Sequence, residues 1–220
     1  MSGQDTRVLL KEGAAELGVD LTQIQIDQFI TYLENLKLWN KRINLTAIND
    51  EQEIVISHFL DSISVVPLLE PNKSLLDIGS GAGFPGIPIK IVSGSLDITL
   101  MDSVNKKVSF MKDVIRTLGL RGITAIWGRA EDEANAVDRS GFDYVVTRAL
   151  GEILALVELS APYLKPGGQI ILMRGKAGVR EWNEALQHIG ANFRLIGISE
   201  FDLPFGAQSR VILKVGTKMP

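Results

Sequence analysis

Residues 74–86, SLLDIGSGAGFPG, limit what this chain can fold into more than any other stretch. A short apolar run ends at Asp77 and opens into Gly79, Gly81 and Gly83. A second apolar run closes on Asp102 about 20 residues later, which is the layout of a nucleotide-type site at the first turn of a βαβ unit. Glycine is required where a loop turns sharply and its backbone must approach a ligand with no Cβ between them. An acid ending the second strand can accept hydrogen bonds from ribose hydroxyls. Asp77, Gly79, Ser80, Gly81, Gly83, Asp102 and Ser103 are therefore candidate cofactor contacts.

Two cofactor classes fit such a loop. Gly81, Gly83 and Gly86 satisfy the dinucleotide spacing G-x-G-x-x-G, but the full run reads D-x-G-x-G-x-G. A carboxylate two residues before the first glycine suits a ligand carrying a positive amine, as S-adenosylmethionine does, and would repel a pyrophosphate. Pro85 and Pro88 flank the start of the next helix, and proline has no N–H to offer an anion. S-adenosyl-L-methionine is the expected cofactor.

The chain has 220 residues, with hydrophobic content of 45%, enough for one large domain with an extension. No apolar run approaches the ~20 residues that a membrane span requires. The N-terminal residues are too charged for a secretory signal, so a cytoplasmic location is expected. With no cysteine, disulfides, cysteine-ligated zinc and cysteine nucleophiles are excluded. His58 and His188 stand far apart, so no metal site is expected. The net charge of −3 does not suggest a broad nucleic-acid grip, and an RNA partner would need a local basic patch or a folded ribonucleoprotein target.

Residues 1–70 read as helical. Leu10, Ala14 and Leu17 recur at helical spacing up to Gly18; Thr22 with Gln25 forms a capping box before the stripe Ile26, Phe29, Ile30, Leu33 and Leu36. Asp50 with Glu53 repeats the signal before Val55, Phe59, Ile63 and Val66, with Pro67 and Pro71 ending that helix. From Ser74 the pattern alternates. Strands are expected over 74–78, 96–101, 123–127, 142–147 and 169–174, with helices near 86–92, 104–118, 130–137 and 151–164. That alternation predicts an α/β fold with a doubly wound, mostly parallel sheet. Residues 193–199 and 210–215 are joined too closely for a crossover helix and should form an antiparallel pair at one edge. The expected organisation is a helical extension, 1–70, and a seven-stranded Rossmann-like methyltransferase domain, 71–220.

Ligands in such sheets bind beyond the carboxyl ends of the strands. Those ends hold Gly79–Gly83 and Phe84; Asp102 and Ser103; Gly128 through Asp132; Arg148; and Arg174 through Lys176. Each also has an ordinary structural role available. Asp102 can cap the following helix, Glu131 and Asp132 can complement a helix dipole, and Phe84 can be core. An amide at Ala130 could read an adenine nitrogen, and a carboxylate nearby its amino group. Arg148 is costly to bury unpaired, so either Asp143 or another acid pairs with it or it faces the ligand. The ligand-facing reading makes it the candidate catalytic residue. Arg129, Arg174, Lys176 and Arg210 are candidates for RNA contact, with Arg180, Lys41 and Arg42 as further basic residues.

The chain resembles, nearly end to end, the bacterial glucose-inhibited division protein B family, which methylates N7 of a guanine in small-subunit (16S) ribosomal RNA. The resemblance rests on Trp39 to Thr46 (WNKRINLT), His58 to Ser62 (HFLDS), Asp77 to Pro88 (DIGSGAGFPGIP), Gly128-Arg-Ala-Glu and Thr147-Arg-Ala. It implies cofactor contacts at Gly79, Phe84, Ala130, Glu131 and Arg148, with 16S ribosomal RNA or the small ribosomal subunit as partner. The expected assembly is a monomer. Guanine N7 has a free lone pair and no proton, so its methylation needs placement rather than a general base. The absence of cysteine excludes a covalent pyrimidine adduct, and no N/D-P-P-Y segment follows the fourth strand. Small-molecule methylation, or a noncatalytic S-adenosylmethionine-binding assembly factor, stays open at this level.

Overall fold

The structure, a computed structural model, describes residues 3–132, 137, 139–148, 151–190, 192–206 and 208–217. Two helices come first, α1 (Gly3–Glu16) and α2 (Gln23–Asn40). Gly18, at φ +74°, follows the end of α1. Thr22 and Gln25 close the expected capping box reciprocally at the start of α2. Next, α3 (Glu51–Ile54), a π-helical turn (Val55–Leu60) and α4 (Asp61–Ile63) run on without a break. Asp50 caps this stretch by accepting from the Glu53 amide. Pro67 lies in a short 3₁₀ turn, Val66–Leu68, beyond it.

Seven strands follow: β1 (Ser74–Ile78), β2 (Asp97–Asp102), β3 (Ile123–Trp127), β4 (Phe142–Arg148), β5 (Leu164–Gly175), β6 (Phe193–Asp202) and β7 (Ser209–Thr217). They form one sheet in the order β3-β2-β1-β4-β5-β7-β6. β1 to β5 are parallel, and β7 runs antiparallel to β5 and to β6, the latter being the pair expected from the short link between residues 199 and 210. Between them stand α5 (Gly86–Val92), α6 (Asn105–Thr117) and α7 (Ile153–Ser160), close to their expected places. Of the helix expected over 130–137, residues 130–132 form a turn rather than a helix, and 133–136 lie outside the described residues. One helix, α8 (Gly178–Ala185), was not expected. Its apolar stripe is narrow, with Trp182 its one large buried side chain. It lies so close to the sheet that a Cβ on Gly178 would meet Arg174 Cβ at 2.8 Å and Val211 Cβ at 3.1 Å.

Both faces of the sheet are covered over β1, β2, β4, β5 and β7, which is why residues of these strands alternate between two cores, whereas the edge strand β6 leaves one face exposed. Leu75, Ile98, Leu100, Val146, Ile171 and Ile212 face a core shared with α1, α2, α5, α6 and the 51–63 helices. Leu76, Met101, Val145, Leu172 and Leu213 face the other, under α7 and α8. The first core runs across the 70/71 boundary, and polar ties reinforce it. Gln25 donates to the carbonyls of Ile91 and Val92 at the end of α5, at 3.0 and 3.1 Å. The Tyr32 hydroxyl, fully buried, donates to the Ala82 carbonyl inside the glycine loop. The helical extension thus supports the loop that the sequence singles out.

Candidate active site

The parallel register brings the strand ends level. Ile78 pairs with Met101 and Thr147, Asp102 with Trp127, and Arg148 with Met173. The loop after β1 is pinned to the next strand: the amides of Gly79 and Ser80 donate to the Met101 carbonyl at 2.8 and 3.1 Å. Gly79, Gly81 and Gly83 have φ of 73°, 59° and 90°, a region that favours glycine. Asp102 Oδ2 accepts from the Gly81 amide at 2.8 Å, and its Oδ1 from the Val104 amide at 2.8 Å. Since α6 begins at Asn105 with Val104 at the cap position, Asp102 is not the helix cap. It ties the glycine loop to the turn after β2.

Two cavities open at these ends, and both reach Gly151. One, of about 730 Å³, is lined by Gly79, Asp102, Ser103, Arg129, Ala130 and Glu131, with Leu156 and Leu159 from α7. These are the ribose-side and adenine-side candidates, brought together from three strand ends. A Cβ on Gly81 would meet nothing nearer than the Gly79 carbonyl at 4.0 Å, so the space over the loop is open. Arg129, expected to touch RNA, stands on the wall of this cavity instead.

Six candidates are absent from its wall: Gly81, Arg148, which lines the second cavity, and Ser80, Gly83, Phe84 and Asp77. Ser80 is 1% exposed, its hydroxyl donating to the Asp77 carbonyl at 2.9 Å, and Gly83 is pressed against Ile87 and Tyr32. Phe84 belongs to an aromatic cluster, stacked on His58 at 4.7 Å and Tyr32 at 5.5 Å between centroids, so its core role is realised. Asp77 is wholly buried beneath the loop, with Oδ2 accepting from the Gly86 amide at 2.9 Å and Oδ1 unpartnered. Burial pushes its carboxyl up to about 7, against the pull of its hydrogen bonds and of Arg148. This orphaned acid under an open glycine loop is what a ligand with a positive amine fits.

The second cavity, of about 550 Å³, is lined by Ser57, His58, Asp61, Arg148, Arg174, Glu181 and Arg210 among others. Arg148 is ion-paired, though not with Asp143, which is bound to Lys165 at 2.9 Å at the other end of β4. Its Nη1 donates to Asp61 Oδ2 at 3.1 Å and to the Ser57 carbonyl at 3.0 Å. Nη2 meets His58 Nδ1 at 3.3 Å, and the guanidinium lies 5.2 Å from the centre of the Phe84 ring. His58 Nδ1 also lies 3.1 Å from the Ser57 carbonyl, and Nε2 lies 2.8 Å from Thr46 Oγ1, so both ring nitrogens are engaged. Burial, then the neighbouring Arg148 charge, lowers the His58 pKa to about 4, so the ring is neutral at pH 7.

The expected RNA arginines are also engaged. Arg174 donates from Nε and Nη2 to Glu181 Oε2 at 2.8 and 2.6 Å, and Arg210 Nε donates to Asp61 Oδ1 at 2.9 Å. Both face the second cavity rather than forming an open cationic surface, because each gains an acid in exchange for lost hydration. Lys176 is exposed, as are Lys41 and Arg42. His58 and Asp61 carried no assigned role in the sequence. Their available signal was a buried-stripe helix, VISHFLDSI, with two ionisable residues three apart.

Among the described residues, no group of three or more His, Asp or Glu is arranged to hold a metal ion, and no helix is long and apolar enough to cross a membrane. Solved structures with the same fold include a SAM-dependent methyltransferase from Aquifex aeolicus (TM-score 0.58, 17% identity, 84% of this chain and 97% of that one). Another is the TYW2 protein of M. jannaschii in complex with AdoMet (TM-score 0.54, 12% identity, 71% and 73%). In sequence, the chain is 42% identical to Ribosomal RNA small subunit methyltransferase G of Geobacter sp. strain M21 over 97% of its length and 98% of that protein's. It is 41% identical to the protein of the same name from Acetivibrio thermocellus, covering 95% and 87%. The family model described as rRNA small subunit methyltransferase G (GidB) matches residues 25–197, which takes in the glycine loop, both cavities' strand ends and the helical wall that carries Asp61. The chain belongs to that family.

Proposed function

We propose that this chain transfers a methyl group from S-adenosylmethionine to N7 of a guanine in 16S ribosomal RNA. The observation that carries the reading is the pair of cavities meeting at Gly151, one walled by Gly79 of the glycine loop, Asp102 and the 128–131 turn, the other by arginines. Asp102, Ser103, Ala130 and Glu131 would hold the adenosyl half of the cofactor, and the glycine loop over Asp77 its aminoacyl half. Bound there, the cofactor supplies an electrophilic methyl on a sulfonium centre.

The acceptor cavity supports a reaction that needs no base. His58 is held neutral and already bonded at both nitrogens, and Asp61 and Glu181 are ion-paired. What the cavity offers is orientation, a contribution worth up to about 7–11 kcal/mol when both reactants are held in line. Arg148 and Arg210 present fixed donors to the hydrogen-bonding edge of a purine or to its phosphate. Action on ribosomal RNA goes with a cytoplasmic location, and a monomer is the proposed assembly, checked by light scattering.

The test is incubation with labelled cofactor and small ribosomal subunits, or the naked RNA, followed by mapping of the modified base. Label on a guanine that resists reduction-and-cleavage only until N7 is methylated supports the reading. Tight cofactor binding with no transfer would leave a noncatalytic assembly factor, and transfer only to small molecules would overturn the RNA substrate.

A further inference from the structure

Asp61 holds two arginines at once. Its Oδ2 takes Arg148 Nη1 at 3.1 Å and its Oδ1 takes Arg210 Nε at 2.9 Å, while its side chain is only 6% exposed. The three residues come from the helical segment before the sheet, from the end of β4 and from the start of β7. The π-helical turn Val55–Leu60 immediately precedes Asp61 and carries His58, the second contact of Arg148. π-turns recur at functional sites because the extra residue re-aims side chains.

Around the cavity the charges of Arg174 and Glu181 cancel, and His58 is neutral. Arg148 and Arg210 face Asp61, leaving one positive charge. Among the described residues, Arg210 Nη2 and Arg148 Nε have no bonding partner and remain as donors. Methylation at N7 makes the purine a cation, so two uncompensated guanidiniums beside it would oppose the reaction.

We infer that Asp61 is a positioning residue of the methyl-acceptor site: its single buried carboxylate clamps Arg148 and Arg210 into fixed directions and removes one of their charges. The inference rests on the rRNA-methylating function proposed above. It makes the helical extension part of the acceptor site as well as a support for the glycine loop.

The test is a double-mutant cycle of Asp61→Asn and Arg210→Gln, measured with small ribosomal subunits and labelled cofactor. Asp61→Asn should lower kcat on the order of 100-fold, as misplaced donors do. Its cofactor affinity by calorimetry should stay within about two-fold, and its subunit affinity at low salt should hold or tighten, because a positive charge is unmasked. The double variant should be no slower than Asp61→Asn alone. A kcat for Asp61→Asn within about two-fold of wild type, or fully multiplicative defects, overturns the inference. So does equal loss of cofactor and RNA binding, which would mark a merely structural acid. Should Asp61→Asn fail to fold, Arg210→Gln alone decides. A fall in kcat at every salt concentration supports the clamp; a raised KM with kcat intact and a salt slope reduced by about one contact overturns it. Wild-type protein that transfers no label at all refutes the functional reading itself, an outcome distinct from active wild type with indifferent variants.

Discussion

Asp77→Asn should reveal how much the fold gives up for its buried acid. In the native chain the carboxyl keeps its proton until about pH 7, because burial raises it from 3.8. In the unfolded chain it ionises near the ordinary value. The folded state therefore binds one extra proton between those limits. Its stabilising effect is complete below about pH 4 and is lost as pH rises to about 7, at about 1.4 kcal/mol per pH unit and about 4 kcal/mol in all. His58 works in the opposite sense. Its pKa is lowered from 6.5 to about 4, so its contribution is present above 6.5 and is lost as pH falls toward 4. The two slopes oppose each other between about pH 4 and 6.5, so the wild-type melting temperature should look nearly flat there. The difference between variant and wild type isolates Asp77. Melting temperatures of both, without ligand, should diverge in favour of Asp77→Asn by about 3 kcal/mol between pH 5 and pH 7.5, on the order of 5–10 °C for a chain this size. Any constant penalty from burying the new amide shifts the whole difference and leaves its slope untouched. A difference that stays level with pH refutes the reasoning. The cofactor reading adds a second readout: calorimetry in buffers of unlike ionisation heat should detect proton release near pH 6.5 when wild type binds S-adenosylmethionine, and none in the variant.

The loop glycines should divide by role. Gly81→Ala, with open space at the Cβ but φ +59°, should cost only about 1–2 kcal/mol of stability while abolishing measurable cofactor binding; Gly83→Ala, whose Cβ would lie 2.5 Å from Ile87 and 2.8 Å from the Tyr32 hydroxyl, should fail first in thermal stability. Arg148→Lys should be nearly as slow as Arg148→Ala, because a single ammonium cannot serve Ser57, Asp61, His58 and the Phe84 ring together; near-normal turnover in the lysine variant would sink the orienting role. Neutralising Lys176 should flatten the slope of log affinity for RNA against log salt by about one contact, whereas Arg174→Gln should barely change it, since that guanidinium is held by Glu181; equal effects would mean that the Arg174 pair opens on RNA binding.

Much of the architecture could be read directly along the chain. Alternating apolar runs and helical stripes report the sheet and its helices because each element must cover a core. The turn glycines and the Thr22–Gln25 cap were legible for a related reason: they answer local backbone demands within a few residues. The ends of β1, β2 and β3 and the 128–131 turn could be gathered into one cavity because parallel topology dictates where strand ends lie. Other features had no local signature. α8 carries little signal in the sequence because a narrow stripe around one large buried residue resembles a loop. Phe84 could be cofactor wall or core until Tyr32 and His58 were seen stacked around it. The partners of Arg148 and Arg210 stand 87 and 149 residues away in Asp61, too far for spacing to suggest the pairing. Periodicity and turn chemistry act over a few residues and are written in order along the chain. Which acid reaches which arginine depends on how the helical segment packs across the sheet, and only the tertiary structure decides that.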